Sequence, residues 1–323
     1  MDASSGELRA VLLNEYGISA SYVSPLSGGL AALAFRVDSF HGVYFLKVYE
    51  KRKNITASLL GKSDLSMGVS SWLSSNTELR GKINAPLLTK QGNIRVDTED
   101  YAYFLFSFID GITPQTTPLT TSQQVEIAEI VGVLHQYGDN LPFDFSDVRE
   151  TYEIPCSELM KLPSNSSDSL CIYRHYDMLM RALDLAHSMA ESVRSMDLPL
   201  VLCHTDIHGW NLLQSDRLIL IDWESIKLAP AEADLYTFWG DWYWGDSNWG
   251  SYWDIFLPVY QRYRPNYATN ENVLKFYQIR RHIEDIEEFY REYLFDDLTA
   301  IEACAVEEHL ERECNFLRRL VVS

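Results

Sequence analysis

The stretch VLCHTDIHGWNLLQSDRLILIDWE, residues 201–224, decides how the rest of the chain is interpreted. In it, Asp206 precedes Asn211 by five positions, and Asp222 follows Asn211 by eleven. Two apolar runs between Asn211 and Asp222 flank a short polar turn, a pattern that predicts a β-hairpin. Such a hairpin would return Asp222 to the side of Asn211.

These three polar side chains suit phosphoryl transfer. An amide oxygen and a carboxylate at the two ends of a hairpin match Mg²⁺, a hard cation that takes oxygen ligands and usually keeps several waters. Asp206, on the loop before the hairpin, can then accept the proton of an incoming hydroxyl group. The residues therefore predict Asn211 and Asp222 as metal ligands and Asp206 as the catalytic base.

The pattern H-x-D-x-x-x-x-N followed by I-D-W resembles the catalytic and metal loops of protein-kinase-like enzymes. Its form here, HTDIHGWNLL…LIDWE, is similar to that of the aminoglycoside phosphotransferase family, which also resembles choline kinases. The resemblance implies the same three roles, with Mg²⁺ and ATP as cofactors and GTP as an open alternative. It further implies that His204 and Asp234 support the catalytic loop.

The patterning along the chain predicts an α+β protein with a bilobal, protein-kinase-like fold. Alternating apolar runs and turn residues indicate an antiparallel β-sheet in the N-terminal lobe, and helical periodicity dominates the C-terminal lobe. We expect a nucleotide-binding lobe at residues 1–106, a hinge at 107–111, and a helical lobe at 112–323 that carries the catalytic loop and the acceptor pocket. The predicted strands are 20–26, 31–38, 43–49, 92–97 and 101–109, and the predicted helices include 6–17, 58–75, 125–137 and 174–196.

A glycine turn and a strand lysine are the candidate phosphate contacts. Ser27, Gly28 and Gly29 separate two predicted strands, where a turn can lie over nucleotide phosphates, although an ordinary hairpin turn gives the same pattern. Lys47 alternates with apolar neighbours on the next strand. It matches the strand lysine that contacts the α- and β-phosphates in kinase-like enzymes.

The resemblance also implies a helix acid for that lysine and a hinge for the base. The helix after Lys47 has no glutamate, and Asp64 stands where the family has one, so we expect a Lys47–Asp64 pair. A helix acid favoured by the helix dipole is the alternative interpretation. The backbone near Ser107 and Ile109 is expected to contact the nucleotide base.

The acceptor pocket is expected in the C-terminal lobe. Residues 236–253 hold many aromatic side chains, and a later predicted helix carries the acidic segment IEDIEE. Aromatic faces and carboxylates suit a hydroxylated, cationic ligand, while a buried aromatic core and a solvated helix face give the same composition. The candidate acceptor-binding residues are Asp241, Trp244, Asp246, Glu284, Asp285 and Glu288.

The charge balance narrows the class of partner. The 323 residues include 46 acidic and 27 basic side chains, a net charge of −19. Nucleic acids and anionic membranes bind basic patches, so neither is expected as a partner, whereas a cationic small molecule is. Acidity that serves solubility alone gives the same net charge. Five scattered cysteines and the lack of a long apolar stretch predict a cytoplasmic protein with reduced thiols.

Three functions remain open from the sequence. The first is phosphorylation of an aminoglycoside or aminocyclitol, as in antibiotic resistance, and the second is phosphorylation of another metabolite such as choline or a sugar. The third is an inactive kinase fold that only binds ligands. The presence of Asp206, Asn211 and Asp222 together argues against the third.

Overall fold

The computed structural model describes residues 4–26, 32–163, 170–239 and 252–322. Strands dominate the first part of the chain and helices the rest, so the predicted α+β class is confirmed. In the described part of the chain, no helix is long and apolar enough to cross a membrane.

An antiparallel sheet of five strands forms the N-terminal region, in the order β1-β2-β3-β5-β4. The strands are β1 (Ala20–Leu26), β2 (Leu33–Ser39), β3 (Gly42–Glu50), β4 (Val96–Asp97) and β5 (Tyr101–Ser107). The predicted sheet is therefore present. Its outer strand β4 is much shorter than the predicted segment 92–97.

Helices precede, interrupt and follow this sheet. Within the described residues they are α1 (Ser5–Val11), α2 (Asn54–Asn76), α3 (Thr121–Leu134), α4 (Cys171–Arg174), α5 (Tyr176–Arg194), α6 (Glu232–Leu235), α7 (Leu257–Tyr260), α8 (Glu271–Phe295) and α9 (Ala300–Val322). Helix α3 begins with a capping box, in which Thr120 and Gln123 satisfy each other's backbone N–H groups. After α1 the chain continues as a π-helical turn that ends at Gly17, whose φ of 73° explains the glycine.

The alternation of β3 places Lys47 on the same face of the sheet as α2. Successive strand residues point to opposite faces. Leu46 and Val48 are fully buried in the cluster that includes α1. Tyr49 packs on the other face, in a cluster with Met67 of α2. Lys47 shares the parity of Tyr49 and so extends toward α2 and the segment beneath it.

Two hydrophobic clusters fix the long helix α8. Leu274 belongs to the cluster that contains Ile127 of α3. Ile283 belongs to a second cluster, with Leu183 of α5 and Leu310 of α9. Because α8 is anchored in both clusters, its polar face holds a defined position beside the central loops.

Two short antiparallel ribbons carry those loops. Strand β6 (Leu200–Cys203) pairs with β9 (Lys227–Pro230), and β7 (Leu212–Gln214) pairs with β8 (Leu218–Leu220). The predicted hairpin is confirmed. At its open end the N–H of Ile221 donates to the carbonyl of Asn211 at 2.9 Å, so the backbones of Asn211 and Asp222 lie side by side.

Candidate active site

The loop between β6 and β7 brings Asp206 and Asn211 into direct contact. Nδ2 of Asn211 donates to the backbone carbonyl of Asp206 at 2.9 Å and to its carboxylate Oδ2 at 2.8 Å. Asn211 is almost completely buried, and the Asp206 side chain is 20% exposed. The amide thus fixes the carboxylate while part of the Asp206 side chain remains accessible.

Helix α8 supplies an arginine beside that carboxylate. Nη1 of Arg281 lies 3.0 Å from Oδ1 of Asp206, and Nε2 of His208 lies 3.5 Å from the same atom. Oδ1 is buried under these groups, yet no N–H from the described residues is aligned on it as a hydrogen bond. Burial opposes ionisation of Asp206, but the charges of His208 and Arg281 outweigh it and hold the pKa of this carboxyl far below its usual range. An ionised, weakly basic carboxylate of this kind orients a hydroxyl group more than it deprotonates it early.

Lys47 of β3 reaches the end of the hairpin. Its Nζ contacts the Asp222 carboxylate and lies 2.8 Å from Oε1 of Glu224, which also accepts a hydrogen bond from the Tyr49 hydroxyl at 2.7 Å. Burial disfavours a charged lysine, but the two carboxylates outweigh it and raise the pKa of Lys47 well above its ordinary value. Burial also opposes ionisation of Asp222, yet Lys47 lowers the pKa of Asp222. Burial and the charge of Asp222 together raise the pKa of Glu224.

The prediction of a Lys47–Asp64 pair is wrong. The side chain of Asp64 is 69% exposed and lies 3.6 Å from Arg95. The face of α2 that meets the segment Trp223–Ser225 carries Ser66, which is fully buried and whose hydroxyl lies 3.1 Å from the carbonyl of Lys62 and 3.3 Å from that of Glu224. Asp64 comes two residues earlier, about 200° around the helix, and therefore points away from Lys47.

Asp234 supports the catalytic loop from below. Its Oδ1 accepts the N–H of Thr205 at 2.6 Å, and its Oδ2 accepts the N–H of His204 at 2.9 Å. Thr205 has a φ of 65°, which is unfavourable for a β-branched residue and is held here by these bonds. Nε2 of His204 contacts the carbonyl of Ile221 at 3.0 Å, which joins the catalytic loop to the hairpin.

A buried group of His135, Cys203 and Asp234 has the residue types of a metal site, with ligand atoms within 4.8 Å of one another. Nε2 of His135 already contacts Asp234 at 3.0 Å, and Nδ1 contacts the Tyr260 hydroxyl at 2.8 Å. The thiol of Cys203 donates to backbone carbonyls of β9 and its C-terminal end. Since these donor and acceptor positions are occupied, we interpret the group as a structural support.

The residues expected around the nucleotide base lie at the end of β5. Ser107 is exposed and Ile109 is half-buried, and the N–H of Phe108 donates to the carbonyl of Val43 at 3.1 Å. Their contact with a base stays a prediction. The expected phosphate turn of Ser27, Gly28 and Gly29 lies outside the described residues.

Two of the three acids predicted on α8 are neutralised within the helix. Nε of Arg280 lies 2.8 Å from Glu284, and Nε of Arg281 lies 2.9 Å from Asp285. Glu288 has no ion-pair partner in the described part of the chain. Glu288 is exposed to solvent, but desolvation by the surrounding protein and then the charge of Asp285 raise its pKa to about 7. The other predicted acceptor residues, Asp241, Trp244 and Asp246, lie outside the described residues.

The oxygen atoms at the end of the hairpin fit a divalent cation. Because Nδ2 of Asn211 is engaged with Asp206, its amide oxygen is left for another partner. The carboxylate of Asp222 lies at the same end, and Oε2 of Glu224 is buried without a hydrogen bond from the described residues. Amide and carboxylate oxygens are the ligands that Mg²⁺ prefers.

The family of the chain follows from its sequence as a whole. A family model described as a phosphotransferase enzyme family matches residues 23–269. The chain belongs to this family. The predicted phosphotransferase class is therefore confirmed. No curated protein matches the chain.

Solved structures show the same fold. Spectinomycin phosphotransferase in complex with ADP and spectinomycin is 19% identical with a TM-score of 0.70, over 98% of each chain. A microcompartment-associated aminopropanol kinase is 14% identical with a TM-score of 0.62, over 98% of this chain and 100% of that one. Choline kinase LicA from Streptococcus pneumoniae is 16% identical with a TM-score of 0.61, over 96% of each chain. The expected kinase-like fold is therefore confirmed.

Two residues of the site escaped the sequence analysis. Glu224 stands two positions after Asp222, and this second acid was a usable signal that IDWE holds more than one carboxylate. Arg281 precedes Asp285 by four residues, the spacing of a helical ion pair. Its contact with Asp206 joins two distant segments, and no local pattern encodes it.

Proposed function

We propose that the protein transfers the γ-phosphate of ATP to a hydroxyl group of an aminoglycoside- or aminocyclitol-like small molecule. The supporting observation is a continuous chain of contacts across the site. Lys47 contacts Asp222, the hairpin sets Asp222 beside Asn211, and Asn211 holds Asp206. Phosphate-binding, metal-binding and hydroxyl-orienting groups thus meet at one place, as phosphoryl transfer requires.

Each residue has a defined task in this proposal. Asp206 accepts a hydrogen bond from the acceptor hydroxyl, directs its oxygen toward the γ-phosphorus, and takes its proton as the new O–P bond forms and the bond from this phosphorus to ADP breaks. Lys47 contacts the nucleotide phosphates, and Asn211 and Asp222 hold the cation. When bound, Mg²⁺ neutralises charge on the phosphate oxygens. Residues 1–106 are proposed to bind the nucleotide, with the base against Ser107 and Ile109 of a hinge at 107–111, and GTP remains an alternative donor.

The acceptor is proposed to bind against α8. The charge of Glu288 interacts with that of Asp206, so the two carboxylates lie near each other. A cationic group on the acceptor would find an unpaired carboxylate at Glu288, while Glu284 and Asp285 offer hydrogen bonds from carboxylates already bound to arginine. We therefore propose that the protein is a cytoplasmic enzyme of the antibiotic-resistance type.

A kinase for an amino alcohol such as choline is the second candidate. The observation that favours it is that Glu288 is the single unpaired carboxylate of the three predicted on α8, which suits one cationic group better than several. Solved structures of the same fold include a choline kinase and an aminopropanol kinase.

A panel of acceptors separates the candidates. The protein is incubated with Mg-ATP and, in turn, spectinomycin, other aminoglycosides, choline, aminopropanol and sugars, and ADP release is followed. We expect turnover above the acceptor-free rate with an aminocyclitol or aminoglycoside. Turnover with choline or aminopropanol alone would favour the second candidate. Nucleotide binding without turnover on any acceptor would instead indicate an inactive kinase fold.

A further inference from the structure

We propose that Glu224, on the metal loop, is the positioning residue for Lys47, in place of the helix acid that the family resemblance implies. The inference rests on the proposed nucleotide site. It assigns to Glu224 the task of holding the lysine amine toward the nucleotide's phosphates. Lys47 lies on strand β3, and Glu224 lies in the 3₁₀ turn Trp223–Ser225.

Glu224 is held in place for this task. Its carboxylate is only 6% exposed, and Oε1 accepts hydrogen bonds from both Lys47 and Tyr49, at 2.8 and 2.7 Å. Lys47 and Tyr49 lie two residues apart on β3 and extend to the same face. A phenol and an ammonium that converge on one oxygen set the direction of the lysine side chain.

Helix α2 has no acid that can take this role. Asp64 is its one acidic residue, and it pairs with Arg95 on the exposed side. Where α2 meets the segment Trp223–Ser225, the buried side chain is the uncharged Ser66, whose hydroxyl lies within hydrogen-bond distance of the carbonyls of Lys62 and Glu224. The helix therefore supports the loop that carries the carboxylate.

Lys47 has two carboxylate partners in this structure, and only one of them, Asp222, is a proposed metal ligand. A bound cation would therefore compete with Lys47 for the carboxylate of Asp222. Glu224 then remains as the partner of Lys47.

Nucleotide binding tests the inference without an acceptor. The affinity of the full chain for ADP and for adenosine is measured by calorimetry, with Mg²⁺ and separately with EDTA. For Glu224→Gln we expect about a tenfold weaker affinity for ADP with Mg²⁺, because one charge-assisted hydrogen bond to the lysine is lost, and a smaller but measurable loss with EDTA, where Asp222 stays free to pair with Lys47. Affinity for adenosine, which has no phosphate for Lys47 to contact, should not change. In the Lys47→Ala background, Glu224→Gln should have little further effect on ADP binding.

Control variants separate the outcomes that would contradict the inference. Asp64→Asn is the matched control on α2, and we expect unchanged ADP affinity; a loss larger than that of Glu224→Gln would overturn the inference. A Glu224→Gln effect seen only with Mg²⁺ would make Glu224 a metal ligand, and an equal loss for adenosine would make its role structural. If Glu224→Gln does not fold, Tyr49→Phe tests the same oxygen, with a smaller loss for ADP alone expected and an unchanged ADP affinity counting against the inference. Wild-type protein that binds no ADP would overturn the proposed function itself. If the wild type binds ADP and Glu224→Gln leaves that affinity unchanged, only this inference is overturned.

Discussion

Arg281 of α8 bridges two carboxylates: its guanidinium lies 3.0 Å from Oδ1 of Asp206 and 2.9 Å from Asp285. The planar guanidinium bridges two carboxylates that would otherwise repel each other. Helix α8 is anchored in two hydrophobic clusters, so this bridge fixes Asp206 relative to a rigid element. A hydroxyl that approaches Asp206 therefore meets a carboxylate whose position is set from both sides, by Asn211 and by Arg281.

Replacement of Arg281 by alanine should lower kcat by about tenfold to a hundredfold, because Asp206 loses one of its two positioning partners. ADP affinity should be unchanged, since Arg281 lies on the acceptor side. The kcat of Arg281→Lys should lie between those of the wild type and Arg281→Ala, because an ammonium cannot bridge both carboxylates with the same geometry. Initial rates of ADP release, with the acceptor found in the panel, give kcat and KM for each variant.

A double-mutant cycle checks that Arg281 acts through this bridge. Asp285→Asn removes one end of it, and its effect should be smaller in the Arg281→Ala background than in the wild type. Strictly additive effects on kcat would show that the two residues act independently, contrary to the bridge.

Replacement of Asp206 by alanine should lower kcat about a thousandfold or more, as expected for loss of the group that orients and deprotonates the acceptor. Affinity for ADP should remain nearly that of the wild type. Asp216→Ala, at an exposed turn of the adjoining hairpin, is the matched control and should retain normal turnover. An Asp206→Ala enzyme with near-normal kcat would refute the assigned role.

The parts of the site that sequence could predict are those set by local pattern. The apolar runs on either side of one turn predict the hairpin, and the hairpin alone brings Asn211 and Asp222 together. The alternation of β3 likewise predicts that Lys47 points away from Leu46 and Val48. These inferences need only the geometry of neighbouring residues.

The parts that failed depend on how distant elements pack. Asp64 was assigned by its place after Lys47 in the chain, but the rotation of α2 about its own axis decides which residue faces the lysine, and that rotation follows from burial of Met67 and Ser66. The predicted helix also began at residue 58, four residues after its actual start at Asn54. The contact of Arg281 with Asp206 depends on where two hydrophobic clusters set α8, which no short pattern encodes.

Replacement of Asp234 by asparagine should lower the free energy of unfolding by about 2–4 kcal/mol, because a buried acceptor of three hydrogen bonds becomes partly a donor. The new NH₂ group would face the N–H groups of Thr205 or His204, or the ring of His135. Urea unfolding followed by tryptophan fluorescence gives the change. Asp147→Asn, at an exposed position, is the control and should leave the free energy of unfolding within about 0.5 kcal/mol. Equal stability of both variants would contradict the supporting role of Asp234.

The pKa of Glu288 predicts how binding of a cationic acceptor depends on pH. An ordinary glutamate ionises near pH 4.5, whereas desolvation on its protein-facing side and then the neighbouring Asp285 raise the pKa of Glu288, an exposed residue, to about 7. Below that pH the side chain is neutral and attracts a cation weakly; above it the side chain is negative. For an acceptor of constant positive charge, kcat/KM should therefore rise about threefold to tenfold as the pH increases through 7, the gain expected for a partly exposed ion pair. Glu288→Gln should remove this step and leave kcat/KM near the low-pH value of the wild type. The same step in Glu288→Gln, or with an uncharged acceptor, would assign the titration to another group.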